Sequence, residues 1–143
     1  ERTGALALIS GTASVNAAAT SQLLSVIRSH YSMPPAHGAA IVETILGDDG
    51  LRSQWQQELD GMCERILHLR HAFADALAPV GDFSFIARQR GMFSFLGISP
   101  EQVSELRKEH GIYMLDSSRV NVAGLNDRVL PQVTSALREV LGK

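Results

Sequence analysis

Apolar positions along the chain change their spacing repeatedly, and each spacing predicts a different element. Residues 5–10 read Ala-Leu-Ala-Leu-Ile-Ser and stop at Gly11. A short continuous apolar run of this kind suits a strand buried on both faces. Val15, Ala19, Leu23, Val26 and Ile27 then recur at helical spacing behind Ser14, a candidate N-cap. Pro34-Pro35 forbids that helix to continue. Pro35 can open the next one, which carries Gly38, Ile41, Val42 and Ile45 on one face and halts at Gly47. From Leu51 the apolar steps of three and four run unbroken through Trp55, Leu59, Met62, Ile66, Leu69 and Phe73 to Leu77. That predicts one long amphipathic helix, ended by Pro79 and Gly81. Trp55, Met62 and Cys63 read as core or near-core packing on it.

Beyond Gly81 the period shortens. Phe83, Phe85 and Ala87 alternate like a strand, Arg90-Gly91 is a turn, and residues 92–96 form a second strand. Ser99-Pro100-Glu101-Gln102 has the form of a helix start, with Ser as cap, Pro at the first position and Gln three residues after the cap. Val103 and Leu106 face inward and Gly111 is the stop. Residues 112–115 and 120–122 read as two further strands, and Asn126 as the cap of a last helix with Leu130, Val133, Leu137 and Val140 inward. The order predicts an α/β chain. Residues 81–143 form a small α+β domain with a mixed sheet, and residues 48–80 a long helix linking it to whatever residues 1–47 belong to.

Composition narrows what such a chain can do. At 143 residues, 45% hydrophobic and 20% charged, a packed core is expected rather than disorder. The net charge of -2 leaves no electrostatic footprint for nucleic acid or an anionic membrane, and no apolar run approaches a bilayer span. Residues 1–10 lack the pattern of a signal peptide. One cysteine, Cys63, excludes an internal disulfide framework and fits a reducing, cytoplasmic compartment. The opening lacks an initiating Met and runs straight into apolar sequence, as expected of a piece of a longer protein.

The candidate chemistry is carried by arginines. Arg2 stands before Gly4, Arg28 at a predicted helix C-terminus before Tyr31-Ser32-Met33-Pro34-Pro35, and Arg119 at the mouth of a short strand in Ser118-Arg119-Val120-Asn121-Val122-Ala123-Gly124. Guanidinium grips carboxylate and phosphate in a two-pronged fork, so arginines in loop-like and terminal settings predict anion handling. Gly91-Met92-Phe93-Ser94-Phe95 sets two aromatics on one strand face. The Glu1-Arg2-Thr3-Gly4, Arg28 to Ala39, Asp82-Phe83-Ser84-Phe85-Ile86, Gly91 to Phe95 and Arg119 to Gly124 segments, in this order, resemble the class I, fold-type I aminotransferases of the aspartate and aromatic amino-acid group, which use pyridoxal 5'-phosphate.

The resemblance implies a C-terminal portion of such an enzyme, with residues 1–47 the tail end of the large cofactor-binding domain. Arg2 matches the arginine that binds the cofactor phosphate and Arg119 the one that binds the substrate α-carboxylate. Arg28 matches the one that crosses a homodimer interface to the side-chain carboxylate of a dicarboxylic substrate. Phe93 matches an aromatic lining the substrate pocket, and Phe85 and Phe95 remain core. His37 is assigned no chemistry. Met33 stands where aspartate-preferring relatives usually carry Asn, which favours an aromatic or broad-specificity enzyme. The substrates implied are amino acids and 2-oxo acids. No catalytic residue is present, because the family's Schiff-base lysine is expected upstream of Glu1. Lys108 and Lys143 are solvated and cannot replace it, so the piece alone is expected to be inactive. No metal is implied. The competing expectation is a free-standing, non-catalytic α/β module that binds an anionic ligand or a partner protein.

Overall fold

The computed structural model describes residues 3–142 and divides into two compact units, Glu1–Gln56 and Gln57–Lys143. In the first, helix α1 spans Ala13–His30 and α2 spans His37–Gly47. The N-cap of α1 is Thr12 rather than Ser14: its hydroxyl accepts from the Val15 amide at 3.3 Å, and Ser14 is already in the first turn. Pro35 falls just before α2, which starts at His37. Residues 5–10 form no strand, and Leu6, Leu8 and Ile9 are exposed. A strand needs a ladder partner for its amides and carbonyls, and none is provided among the described residues. The apolar faces of both helices stay largely bare, with Leu24, Val26, Val42 and Leu46 exposed. Gly38 is the buried exception, because the Thr3 side chain lies where its Cβ would be.

Helix α3 runs unbroken over Asp49–Leu77, as its stripe predicts. Trp55, Met62 and Cys63, expected in or near the core, are exposed, as is Leu51, whereas Leu69, Phe73 and Leu77 are fully buried in the core of the second unit. Around that end of α3 follow α4 (Phe85–Arg88), β1 (Phe93–Phe95), α5 (Pro100–His110), β2 (Arg119–Asn121) and α6 (Leu130–Leu141). The core joins Leu69, Phe73 and Leu77 with Ile86, Val103, Leu106, Val122, Leu137 and Val140. Arg138 of α6 donates to the Ala76 carbonyl at 2.6 Å, and Arg65 of α3 donates to the carbonyls of Ala123 and Leu125.

Strands β1 and β2 pair antiparallel, with Phe93 opposite Asn121 and Phe95 opposite Arg119. They are the only sheet among the described residues, and two expected strands are replaced. Phe83 to Ala87 turns into α4, because the Asp82 carboxylate accepts from the Ser84 amide and the Phe83 carbonyl from the Ile86 amide. These local bonds outcompete a two-residue alternation that has no neighbouring strand. Residues 112–115 stay irregular, tied down by Arg107, which reaches Asp116 at 3.0 Å and the Met114 carbonyl at 3.4 Å. Phe85 packs partly buried against the core, but Phe95 is exposed, since β1 turns its odd positions outward and buries Ser94. Asn126 organises the turn before α6, accepting from the Arg128 and Val129 amides, and Val129 takes the cap position.

The start and stop of α5 agree with the sequence in detail. Ser99 and Gln102 form a reciprocal capping box, and Gly111 adopts the left-handed conformation at φ 64° that ends the helix. Ser99→Ala should cost about 1 kcal/mol. The amide of Gln102 should then exchange with solvent faster; unchanged exchange would remove the cap from the account of this helix.

Candidate functional site: an arginine stacked on an aromatic ring at a cavity

The site grows from the β1–β2 pair. Ser118, buried and at φ 60°, turns the chain into β2, and its hydroxyl accepts from the Gly97 amide at 3.0 Å. Positive φ is uncommon for a residue with a Cβ, so the surrounding bonds hold this turn. Arg119 follows directly. Phe93 and Phe95 share one face of β1, and Arg119 and Asn121 the same face of β2, so Arg119 meets Phe93 diagonally. Its guanidinium carbon lies 4.8 Å from the Phe93 ring centroid, a cation–π contact. Both residues line a cavity of about 600 Å³ whose wall also includes Leu106, Met114, Asn121 and Leu125. Among the described residues Arg119 has no acidic partner, so its N–H donors are not engaged by a carboxylate of the chain.

The other predicted positions divide by where they lie. Arg28 occupies the last turn of α1, exposed, where the helix dipole favours a positive charge. Beyond it Tyr31 caps the helix, Ser32 takes a positive φ of 66° and Met33 is exposed. Arg2, the cofactor-phosphate candidate, lies outside the described residues; its second neighbour, Gly4, is exposed. Lys108 is exposed on α5, as expected, and Lys143 lies outside the described residues. The structure thus brings Arg119 and Phe93 together. Arg28 belongs to the first unit and is described within it.

One residue escaped the sequence reading. Arg70 is fully buried. Its guanidinium donates to the carbonyls of Ile86 (2.9 Å), Gly91 (2.7 Å) and Phe93 (2.9 Å), to the Ser94 hydroxyl (2.7 Å) and, at 3.4 Å, to the Arg90 carbonyl. Burial first, and then the nearby charge of Arg90, lower its pKa from the ordinary arginine value. Its Nε has no partner. The signal was present: Arg70 stands four residues after Ile66 and three before Phe73, inside the apolar stripe, where a charge that becomes buried needs polar partners. Among the described residues no helix is long and apolar enough to cross a membrane, and no cluster of His, Cys, Asp or Glu could hold a metal ion.

The class of molecule is set by comparison with known proteins. Residues 4–137 match the family described as "Aminotransferase class I and II", and the chain belongs to that family, with the architecture of part of a fold-type I aminotransferase. It is 47% identical to the aspartate aminotransferase of Salmonella typhi, over 99% of this chain and 36% of that protein. It is 45% identical to the aromatic-amino-acid aminotransferase of Pseudomonas aeruginosa, over 98% of this chain and 36% of that protein. A crystal structure of the aromatic-amino-acid aminotransferase from Burkholderia pseudomallei, covalently bound to pyridoxal phosphate, matches with a TM-score of 0.82 and 45% identity, covering 93% of this chain and 34% of that one. The psychrophilic aromatic amino acids aminotransferase from Psychrobacter sp. B6, cocrystallised with aspartic acid, matches with a TM-score of 0.84 and 37% identity, covering 94% and 35%. The chain therefore spans about a third of the length of the relatives it matches.

Proposed function

We propose that this chain is the C-terminal part of an aminotransferase that exchanges an amino group between an aromatic or dicarboxylic L-amino acid and a 2-oxo acid. Similarity to aspartate and aromatic aminotransferases over nearly the whole of this chain favours this reading over a free-standing module. The observation that carries the substrate side is Arg119, held over Phe93 at the cavity with no acidic partner among the described residues. A carboxylate fits its guanidinium through two parallel N–H···O bonds. Every amino acid and 2-oxo acid presents this carboxylate, so Arg119 binds what all substrates share and orients the bond that reacts. Phe93 lies against the guanidinium of Arg119, which stays exposed to a ligand in the cavity.

The donor set in this cavity suits a carboxylate and contains no lysine. Pyridoxal phosphate, when bound in the whole protein, supplies the electron sink. Of this chain's residues we assign only Arg2 to it, at the phosphate. Domain roles follow: residues 1–47 complete the large cofactor-binding domain, 48–80 link the domains and 81–143 form the small domain. The working form is a cytoplasmic homodimer, in which Arg28 serves the side-chain carboxylate of a dicarboxylic substrate across the interface. The reading is tested by expressing the full-length protein and following amino-group exchange between glutamate and aromatic or dicarboxylic 2-oxo acids. A protein with no exchange and no cofactor absorption band ends it. In the same protein Arg28→Leu should lower turnover efficiency on aspartate about a hundredfold while changing that on phenylalanine by less than about threefold, because only aspartate presents the second carboxylate. Equal losses would refute the role of Arg28.

A further inference from the structure

We propose that Arg70 is a positioning residue for substrate binding, fixing the backbone on both sides of Phe93 so that the ring lies under the Arg119 guanidinium. The inference rests on the aminotransferase reading and adds a residue to its substrate-binding apparatus. The bonds of Arg70 bracket one residue. One nitrogen holds the Gly91 and Phe93 carbonyls, and the other holds the Ser94 hydroxyl and, across the turn, the Ile86 carbonyl. The chain on either side of Phe93 is thereby clamped to α3. On its other edge the same stretch is held by β2, and the Met92 carbonyl accepts from the Val122 amide at 2.8 Å. Arg119 stands on that second strand. Phe93 is fixed between a buried cation behind it and a free cation above it, and it transmits the placement of the first to the second.

The hydrogen bonds of Arg70 go to carbonyls and a hydroxyl, with no carboxylate among them. A buried charge satisfied in this way is costly to keep for stability alone. The planar fork matters because a lysine ammonium, a single point with three tetrahedral donors, cannot span acceptors that lie on two sides of the strand. Arg70→Lys therefore keeps the charge and loses the clamp.

The test uses the full-length protein with aspartate and with phenylalanine. KM and kcat are read from steady-state kinetics, and Kd for each amino acid from calorimetry. Arg70→Lys should raise KM and Kd about tenfold by the same factor for both, with kcat changed less than about twofold. Combined with Phe93→Leu, its effect on Kd should be less than additive, since both act on the seat of Arg119. Ser94→Ala removes one acceptor and leaves the charge in place; it should raise Kd about threefold. A folded Arg70→Lys with unchanged Kd, or full additivity with Phe93→Leu, overturns the proposal. Should Arg70→Lys not fold, an unchanged Kd in Ser94→Ala overturns it. If the unaltered protein binds amino acids but exchanges no amino group, the aminotransferase reading fails while the Kd comparison still decides the role of Arg70. If it binds neither amino acid, both fall.

Discussion

Replacing Arg119 with Leu in the full-length protein should lower kcat/KM by about 10²–10⁴, and by the same factor for aspartate and for phenylalanine. Truncating one partner of a charge-assisted, two-pronged bond that the bound substrate covers costs about 2–5 kcal/mol, and each 1.36 kcal/mol is about a factor of ten in rate. The loss is uniform because the α-carboxylate is common to both substrates. It should exceed that of Arg70→Lys, which leaves the guanidinium of Arg119 in place but loosely seated. Arg119→Lys should recover part of the activity, since a point charge still attracts the carboxylate without fixing its plane. Steady-state kinetics on both substrates checks this. A loss below tenfold, or one confined to aspartate, would mean that Arg119 does not hold the shared carboxylate.

The largest effect on stability is expected at Phe73. It is fully buried on α3, in the core with Leu69, Leu77, Ile86 and Leu106, and it also lines the cavity beneath Arg119. Phe73→Ala removes a whole ring and leaves a void that neighbours on several elements cannot all collapse into, so about 3–5 kcal/mol should be lost. Asp75, two residues on and exposed, provides the control: Asp75→Ala should change stability by less than about 0.5 kcal/mol. Denaturant unfolding of the two variants reads the difference as a displaced midpoint at unchanged slope. A cost under about 1 kcal/mol for Phe73→Ala would show that this end of α3 is not packed as described.

These two residues were legible in different ways. Phe73 stood in an eight-member stripe whose spacing predicts one apolar helix face, and the C-terminal part of that face enters the core. Arg119 was legible only through the run of residues around it, since an arginine near a strand is usually solvated. Its contact with Phe93 could not be read from spacing, because the two lie 26 positions apart and their meeting depends on a diagonal register. The misread strands share one cause. A short apolar run or alternation states only that a segment carries apolar side chains. Whether a strand forms depends on a neighbour to receive its backbone bonds. Residues 5–10 and 112–115 find none among the described residues, and residues 83–87 find shorter-range bonds first.

The sequence by itself determined what is local. It set the extent of α3, the capping box and glycine stop of α5 and the apolar faces, together with the ordered motifs that mark the aminotransferase family. Those follow from side-chain period, caps and turn chemistry, which act over a few residues. Tertiary structure alone decided which strands found partners, that Phe95 faces outward, that Arg119 stacks on Phe93, and that Arg70 is spent on the backbone beneath them. The reason is that backbone hydrogen bonds and buried charges are satisfied by groups far away in sequence, and no local pattern states where those groups will be.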